Sequence, residues 1–303
     1  MAFAERSCRG EGVMAVTGSV RSPWWAVLLL GVWMSLSAIW FVSLWFPMDT
    51  LRQLQQATAG WVSVTLVASG AIGMVSLLIV FGLGRQSFAD VGWRAGYLVP
   101  AFVVSLLLWA SMQAATVFSA QVSGAPLVAA AAWERGLGIA LGPLLAQVLG
   151  TALMEETVFR GYLWPQLVLW LRRGLPAAWA AALGLLLSQG LFAGLHVPVL
   201  LYTGTEAGAL AGPLLMLFFV GIVFALVYAA TGNLFVAVGA HALGNAPTLL
   251  FEPQGPAPSM VLLIVLVVLS TGYWAWNQRR AGGREGAGTA SDWRGFTRVL
   301  RPR

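Results

Sequence analysis

The sequence predicts an all-α polytopic membrane protein, a bundle of about eight transmembrane helices. Composition is the first reason: 59% of the 303 residues are hydrophobic and 9% are charged, whereas charged residues make up about a quarter of a soluble domain. The mean hydropathy of +0.80 is the second. The third is that apolar residues fall in runs of roughly 20, the length with which an α-helix crosses a ~30 Å hydrocarbon core.

Eight apolar runs have the length of membrane spans. The first is too long for the core of a signal peptide, and no small-residue cleavage site precedes Met48, so we interpret it as a retained helix. The fourth contains charged residues and continues beyond them. The predicted spans are residues 24–46, 61–83, 97–118, 136–154 with a continuation to 171, 177–195, 208–230, 234–250 and 259–276.

Three regions are predicted along the chain. The transmembrane domain covers residues 23–278, with the candidate catalytic core at about 136–250. Residues 1–22 have the composition of a flexible arm, in which Met14 is an alternative start. Residues 279–303 are basic and rich in glycine, which predicts a disordered tail lying against anionic lipid.

The distribution of arginine predicts the orientation of the spans. All 17 basic residues are arginine. With a cytoplasmic N-terminus, fourteen lie in cytoplasmic segments, Arg52 and Arg135 lie in outside loops, and Arg160 lies within a span. Because cytoplasmic segments carry the excess of basic residues, both termini are predicted to be cytoplasmic, and we interpret the membrane as a bacterial inner membrane. The net charge of +6 then reflects topology and contact with the lipid bilayer, so no nucleic-acid partner is predicted.

A few polar residues lie inside the predicted spans. An ionisable side chain at the centre of a membrane helix costs ~2.5–3.5 kcal/mol, so each one requires a partner or a function. Both histidines of the chain are among them. The residues, with their neutral polar companions, are Glu155, Glu156, Arg160, His196, His241, Asn245, Gln147 and Gln189.

Spacing separates the two glutamates. Glu156 and Arg160 are four apart, so they lie one turn apart on one helix face and can form an ion pair. Glu155 is rotated by ~100° from Glu156, so it points to a different neighbour. We therefore expect one glutamate held by Arg160 and one glutamate available for chemistry. A purely structural ion pair that ties helices together is the competing interpretation.

Two further pairs have the same spacing on later spans. Phe192 and His196 are four apart at the end of the fifth span, and His241 and Asn245 are four apart on the seventh. His241 and Asn245 therefore share a face and could contact one small ligand. A hydrogen-bonded packing role is the alternative for either histidine, and interhelical hydrogen bonding, worth ~0.6 kcal/mol on average in membranes, is the alternative for Asn245.

These residue types supply the groups that peptide hydrolysis needs. A carboxylate hydrogen-bonded to a histidine is a competent general base for water, and a second histidine with an asparagine offers donors to the oxyanion. Glu155, His196 and His241 are also candidate ligands of a Zn²⁺ ion that keeps water in its fourth position. Because the H-E-x-x-H motif is absent, such a site would be assembled from three helices. Zinc is thus a candidate cofactor, and no cofactor is required.

Three motifs in order give these residues a family resemblance. E-E-x-x-x-R occupies residues 155–160 and is followed by Gly161, F-x-x-x-H occupies 192–196, and H-x-x-x-N occupies 241–245. In this order and spacing the chain resembles the CPBP family of intramembrane proteases, the CAAX prenyl protease 2 and bacteriocin-processing (Abi) proteins. The resemblance covers about residues 136–250.

The resemblance implies an endopeptidase that hydrolyses a peptide bond of a membrane-associated protein substrate on the cytoplasmic side. It implies water activation by a glutamate with a histidine, and we favour this mechanism without a metal because these two groups suffice. In such proteins one His–Asn pair stabilises the oxyanion and one Glu–Arg pair organises the site. The implied catalytic residues are Glu155 with His196, and His241 with Asn245; the implied site-organising residues are Glu156, Arg160 and Phe192.

Two other classes of function remain open from the sequence. A proton-coupled transporter also places Glu, His and Arg within the membrane. Internal repeats are expected of a transporter, and the E-E-x-x-x-R motif has no second copy. A membrane scaffold or immunity protein would keep the same residues for packing. A substitution of Glu155 that abolishes cleavage without unfolding the protein distinguishes the enzyme from both.

Overall fold

The computed structural model describes residues 20–282 of the chain. All but the last three residues of the predicted arm at 1–22 lie outside this range, as does the tail at 279–303 beyond its first four residues, which are helical. Within the described range the secondary structure is helical, apart from an isolated antiparallel bridge between Ala129 and Phe251. The predicted all-α class is confirmed.

Seven helices between residues 20 and 282 are long and apolar enough to cross a membrane, so the chain is an integral membrane protein. The spans are built from shorter α-helices, and others lie between them. In chain order, the α-helices are α1 Trp24–Phe41, α2 Met48–Ala57, α3 Val64–Leu77, α4 Leu98–Ser123, α5 Ala131–Glu134, α6 Leu137–Ala146, α7 Ala152–Glu155, α8 Trp164–Leu171, α9 Ala177–Gly194, α10 Val197–Tyr202, α11 Ala211–Thr231, α12 Leu234–Asn245 and α13 Pro258–Gly282. π-helical turns continue α3 at Leu78–Leu83 and join α6, α7 and α8 at Gln147–Thr151 and Glu156–Leu163 into one span, Leu137–Leu171.

In the structure, the predicted span at 234–250 is not one continuous helix. Helix α12 has 12 residues, about 18 Å at 1.5 Å per residue, which is shorter than a ~30 Å hydrocarbon core. It stops because Pro247 follows: a residue before proline is disfavoured in the α region, and Ala246 has φ −138° and ψ 77°. Residues 246–257 continue without helix.

The non-helical residues after α12 continue its path towards the far end of α4. Asn233, α12 and these residues together run alongside α4, and hydrogen bonds join the two segments from the beginning of α4 towards its end. The contacts in order are Asn233 Nδ2 to Tyr97 O at 2.9 Å, Trp109 Nε1 to Thr248 O at 3.0 Å, and Leu250 N to Gln113 Oε1 at 3.0 Å. Beyond the end of α4, the N–H of Glu252 donates to Val128 O at 2.9 Å. Irregular backbone at membrane depth is tolerated where it is packed against protein in this way.

Residues 20–22 lie at one face of the bundle together with the ends of α3 and α8. We call this the basic face, because it carries Arg21, Arg85, Arg94, Arg172, Arg173 and Arg279. Its segments bond to one another: Ser22 Oγ donates to Gly84 O at 2.7 Å, and Arg21 Nη2 donates to Leu169 O at 2.7 Å. The opposite face carries Arg52 and Arg135 among the described residues.

The span Leu137–Leu171 lies at the centre of the bundle, and its polar residues from position 156 onward are buried. All eight residues of the π-helical segment Glu156–Leu163 are buried. A loop of the basic face reaches this segment, where the indole Nε1 of Trp93 donates to Thr157 Oγ1 at 2.9 Å. Position 241 lies seven residues into α12 from Leu234, or ~10 Å. The polar cluster formed by Glu155, Glu156, Arg160 and His241 therefore lies nearer the basic face than the opposite face.

Candidate active site

Glu156 and Arg160 form a fully buried ion pair. Arg160 Nη1 lies 3.1 Å from Glu156 Oε1, and both side chains are 0% exposed. The guanidinium also donates from Nη2 to the carbonyl of Gly221 at 3.3 Å, and its Cζ lies 4.6 Å from the centre of the Phe192 ring. The pairing predicted from the four-residue spacing is present. It is held by contacts from α9 and α11, so the pair joins three helices.

His241 lies between the two glutamates. Its Nδ1 is 2.8 Å from Glu156 Oε1, and its Nε2 is 3.6 Å from Glu155 Oε2. Since Glu156 is paired with Arg160, its carboxylate accepts, so Nδ1 carries the proton and donates it. The ring is stacked on Phe224, with centroids 5.3 Å apart and an interplanar angle of 23°. His241 is thus fixed on one edge and on one face, with Nε2 directed at Glu155.

The two glutamates meet the same histidine rather than different neighbours. Glu155 is the last residue of α7 and Glu156 the first of the π-helical segment. π-Helical turns are rare in proteins, and those that do occur are often found at functional sites. Here they let consecutive carboxylates reach opposite edges of one imidazole. Their surroundings differ, because Glu156 is completely buried whereas the side chain of Glu155 is 13% exposed.

Phe192 and His196 form a second layer beside the ion pair. Phe192 is buried and packs edge-on against Phe159, with centroids 5.1 Å apart, and against His196, with centroids 4.8 Å apart. His196 Nδ1 is 2.8 Å from the carbonyl of Phe192, which can only accept, so Nδ1 carries the proton and Nε2 keeps its lone pair. The contacts that position His196 are with Phe192, whereas the histidine placed against Glu155 is His241.

Asn245 ends α12 and has a partner on the neighbouring span. Its Nδ2 donates to Gln147 Oε1 at 3.0 Å, and the bond is solvent- or lipid-accessible. Asn245 and His241 share α12, as the sequence predicts, but they contact different residues of the fourth span. The cluster is therefore open at Asn245 and closed at Arg160.

Gly221 and Phe224 belong to the site although no polar residue marks them in the sequence. An added Cβ at Gly221 would lie 2.6 Å from Gln189 Oε1 and 3.1 Å from Arg160 Nη2. Gln189 is completely buried, and its Oε1 has no hydrogen-bond partner among the described residues. Glycine at position 221 leaves room for the Gln189 amide and the Arg160 guanidinium, which both approach the α11 backbone closely.

Gly221→Ala is expected to lower the free energy of unfolding by about 1–3 kcal/mol, because the new methyl group overpacks the buried contact between α11 and Arg160. The matched control on the same helix is Gly212→Ala, where a Cβ meets nothing within 4 Å. The control is expected to keep or slightly raise stability, since alanine favours helix over glycine. Denaturant unfolding in one detergent measures both. Equal stabilities of the two variants would contradict the close approach.

The candidate zinc ligands are not assembled into a metal site. Within residues 20–282, no three His, Cys, Asp or Glu side chains come together in a way that could hold a metal ion. Of the candidates, Glu155 and His241 are neighbours, while His196 is positioned by Phe192. Glu155, His196 and His241 therefore do not form a three-ligand set in this arrangement, and zinc stays a prediction from the sequence.

Comparison with protein families identifies the part of the chain that carries the site. Residues 137–247 match the Rce1-like family, type II CAAX prenyl endopeptidase Rce1-like. The matched range contains every candidate site residue discussed above and agrees with the resemblance drawn from the motifs. At the level of the family it implies a CAAX-protease-like intramembrane endopeptidase with a protein substrate at the membrane. Curated proteins and solved structures gave no significant match.

Proposed function

We propose that this protein hydrolyses a peptide bond of a membrane-associated protein, using a water molecule activated by Glu155 and a histidine. The observation that carries the proposal is the position of His241 between Glu155 and Glu156, within the segment that matches the endopeptidase family. A carboxylate beside an oriented imidazole is the arrangement that general-base attack of water requires.

The proposed reaction begins with the water molecule beside Glu155. As its oxygen attacks the substrate carbonyl carbon, one proton passes to the Glu155 carboxylate. The Nε2 atom of His241 lies 3.6 Å away, longer than a hydrogen bond, so a small movement lets the two groups share that proton. The shared proton then goes to the leaving nitrogen as the C–N bond breaks. The products are a carboxylic acid and an amine.

The negative charge that develops on the carbonyl oxygen needs hydrogen-bond donors. Asn245 Nδ2 is one donor, at present bound to Gln147 Oε1 at 3.0 Å. His241 supplies a second donor while that proton resides on Nε2, before it passes to the leaving nitrogen. In this proposal Glu156 and Arg160 hold His241 in place, Phe192 supports Arg160 and His196, and His196 assists water activation as the family resemblance implies.

The proposed location of the reaction is the cytoplasmic side of a bacterial inner membrane. The cluster lies nearer the basic face, which carries six of the arginines between residues 20 and 282. Cytoplasmic segments of membrane proteins are enriched in arginine and lysine. Because Asn245 lies one turn deeper in α12 than His241, the substrate is expected to reach the open end of the cluster near Asn245 from within the bilayer.

Removal of metal is expected to leave cleavage unchanged, because the proposed mechanism takes its proton acceptor and its donors from side chains. The experiment uses the purified protein in proteoliposomes with a quenched fluorescent peptide anchored in the membrane. Activity is measured before and after treatment with a strong chelator, and zinc content is measured on the same sample. Loss of activity on chelation, restored by stoichiometric zinc, would contradict the metal-free mechanism.

A further inference from the structure

A cavity of about 450 Å³ opens on the opposite face, apart from the catalytic cluster. Arg52, Gln55 and Gln56 of α2 line one side, and Arg135, which precedes α6, lines another. None of the lining residues is acidic. The cavity therefore offers two guanidinium groups and two amides and would repel a cation.

Backbone packing brings the two arginines to one place. Gly60, in the turn after α2, has a φ of +90°, and a Cβ there would lie 2.9 Å from the carbonyl carbon of Gly138 and 2.7 Å from Ile139 Cδ1. The turn therefore packs directly on the first turn of α6, and glycine permits both the approach and the positive φ. Arg52 and Arg135, which are far apart in sequence, line one cavity as a result.

The charges of this cavity are available to a ligand. Arg52 has a carboxylate neighbour, Asp49, at 3.6 Å, but their side chains are 62% and 91% exposed, and exposed pairs of this kind are weak. A guanidinium binds phosphate oxygens through two parallel N–H groups. The first turn of α6, reached through Ile139, adds the partial positive charge of a helix N-terminus. Two guanidinium groups beside a helix N-terminus favour a phosphate group as the ligand.

The exposed apolar residues around the cavity favour a lipid as the source of that phosphate. Helix α2 has no buried residue and lies between two membrane spans, with Leu54 exposed. Trp61, just after it, is also exposed, and tryptophan is enriched at the level of the headgroups. We propose that this cavity binds the phosphate of an anionic phospholipid in the leaflet at the opposite face.

Native mass spectrometry of the full-length protein, titrated in detergent with phosphatidylglycerol or with phosphatidylcholine, tests this site. The wild type is expected to retain phosphatidylglycerol preferentially. In the double variant Arg52→Gln/Arg135→Gln its apparent affinity is expected to fall about tenfold or more, since each basic residue near a membrane surface contributes ~1 kcal/mol of attraction. Each single variant is expected to lie between the two.

The matched control is Arg94→Gln/Arg173→Gln, which removes two exposed arginines from the basic face and is expected to lower the affinity clearly less than Arg52→Gln/Arg135→Gln, because neither residue lines the cavity. Equal retention of phosphatidylglycerol by the wild type and by Arg52→Gln/Arg135→Gln would overturn the site. Displacement of the lipid by millimolar inorganic phosphate would overturn the lipid assignment in favour of a free anion. Thermal unfolding of each variant establishes that it is folded. Peptide cleavage is not the readout, so this test and that of the proposed protease are independent.

Discussion

Replacement of Glu155 by Gln is expected to lower the rate of peptide cleavage by about 10²–10⁴-fold, the range that general acid–base catalysis contributes. Glutamine keeps the size of the side chain and its contact with His241 but cannot accept the proton of water. Because the side chain is partly exposed and lies 3.6 Å from His241 Nε2, beyond hydrogen-bond distance, the substitution should leave the fold intact. Cleavage of a membrane-anchored peptide in proteoliposomes measures the effect.

The control for this substitution is Glu206→Gln. Glu206 is an exposed carboxylate in the connection between α10 and α11, away from the cluster, so its loss should not change the rate. Thermal unfolding of both variants shows whether they remain folded. Unfolding of Glu155→Gln would favour a structural role of this residue, as in a scaffold protein, and full activity of Glu155→Gln would contradict its role as the base.

Arg160→Met is expected to lower the free energy of unfolding by about 3–5 kcal/mol, the loss found when one partner of a buried ion pair is removed. The carboxylate of Glu156 would stay completely buried, with His241 as its remaining ionisable neighbour. The carbonyl of Gly221 and the ring of Phe192 would lose a partner as well. Denaturant unfolding in detergent measures the change.

The contrast with an exposed ion pair makes this prediction specific. Arg52→Met removes the partner of Asp49 in a pair whose side chains are 62% and 91% exposed, and such pairs contribute about 0–1 kcal/mol. The two substitutions are chemically identical, so burial is the main difference between them. Similar losses of stability in Arg160→Met and Arg52→Met would contradict the buried network.

Most of the fold follows from the sequence because membrane thickness dictates the length of apolar runs. Seven of the eight predicted spans correspond to helices long enough to cross. The sequence predicts the span at 234–250 as one helix, whereas residues 246–250 are non-helical. Pro247 could have indicated this break, since the residue before a proline avoids the α region. Its hydrogen bonds to α4 are a tertiary feature that hydropathy does not contain.

The site was only partly predictable from the sequence, because it also depends on how the helices pack against one another. The spacing of Glu156 and Arg160 predicts their ion pair because both residues lie on one helix. Which histidine faces Glu155 depends on how α9 and α12 pack, and spacing within each helix carries no such information. Gly221 contributes a backbone carbonyl and space for the guanidinium. In an apolar span, one glycine among other small residues gives no signal of that role.

The central claim is that Glu155 activates the water that is added to the peptide bond. Cleavage in H₂¹⁸O tests it most directly, with the purified protein in proteoliposomes and a set of membrane-anchored peptides, both farnesylated and unmodified. The wild type is predicted to give a product whose new carboxyl terminus carries one ¹⁸O atom, detected by mass spectrometry, and Glu155→Gln is predicted to give almost none. Equal amounts of labelled product from the wild type and from folded Glu155→Gln would contradict the claim.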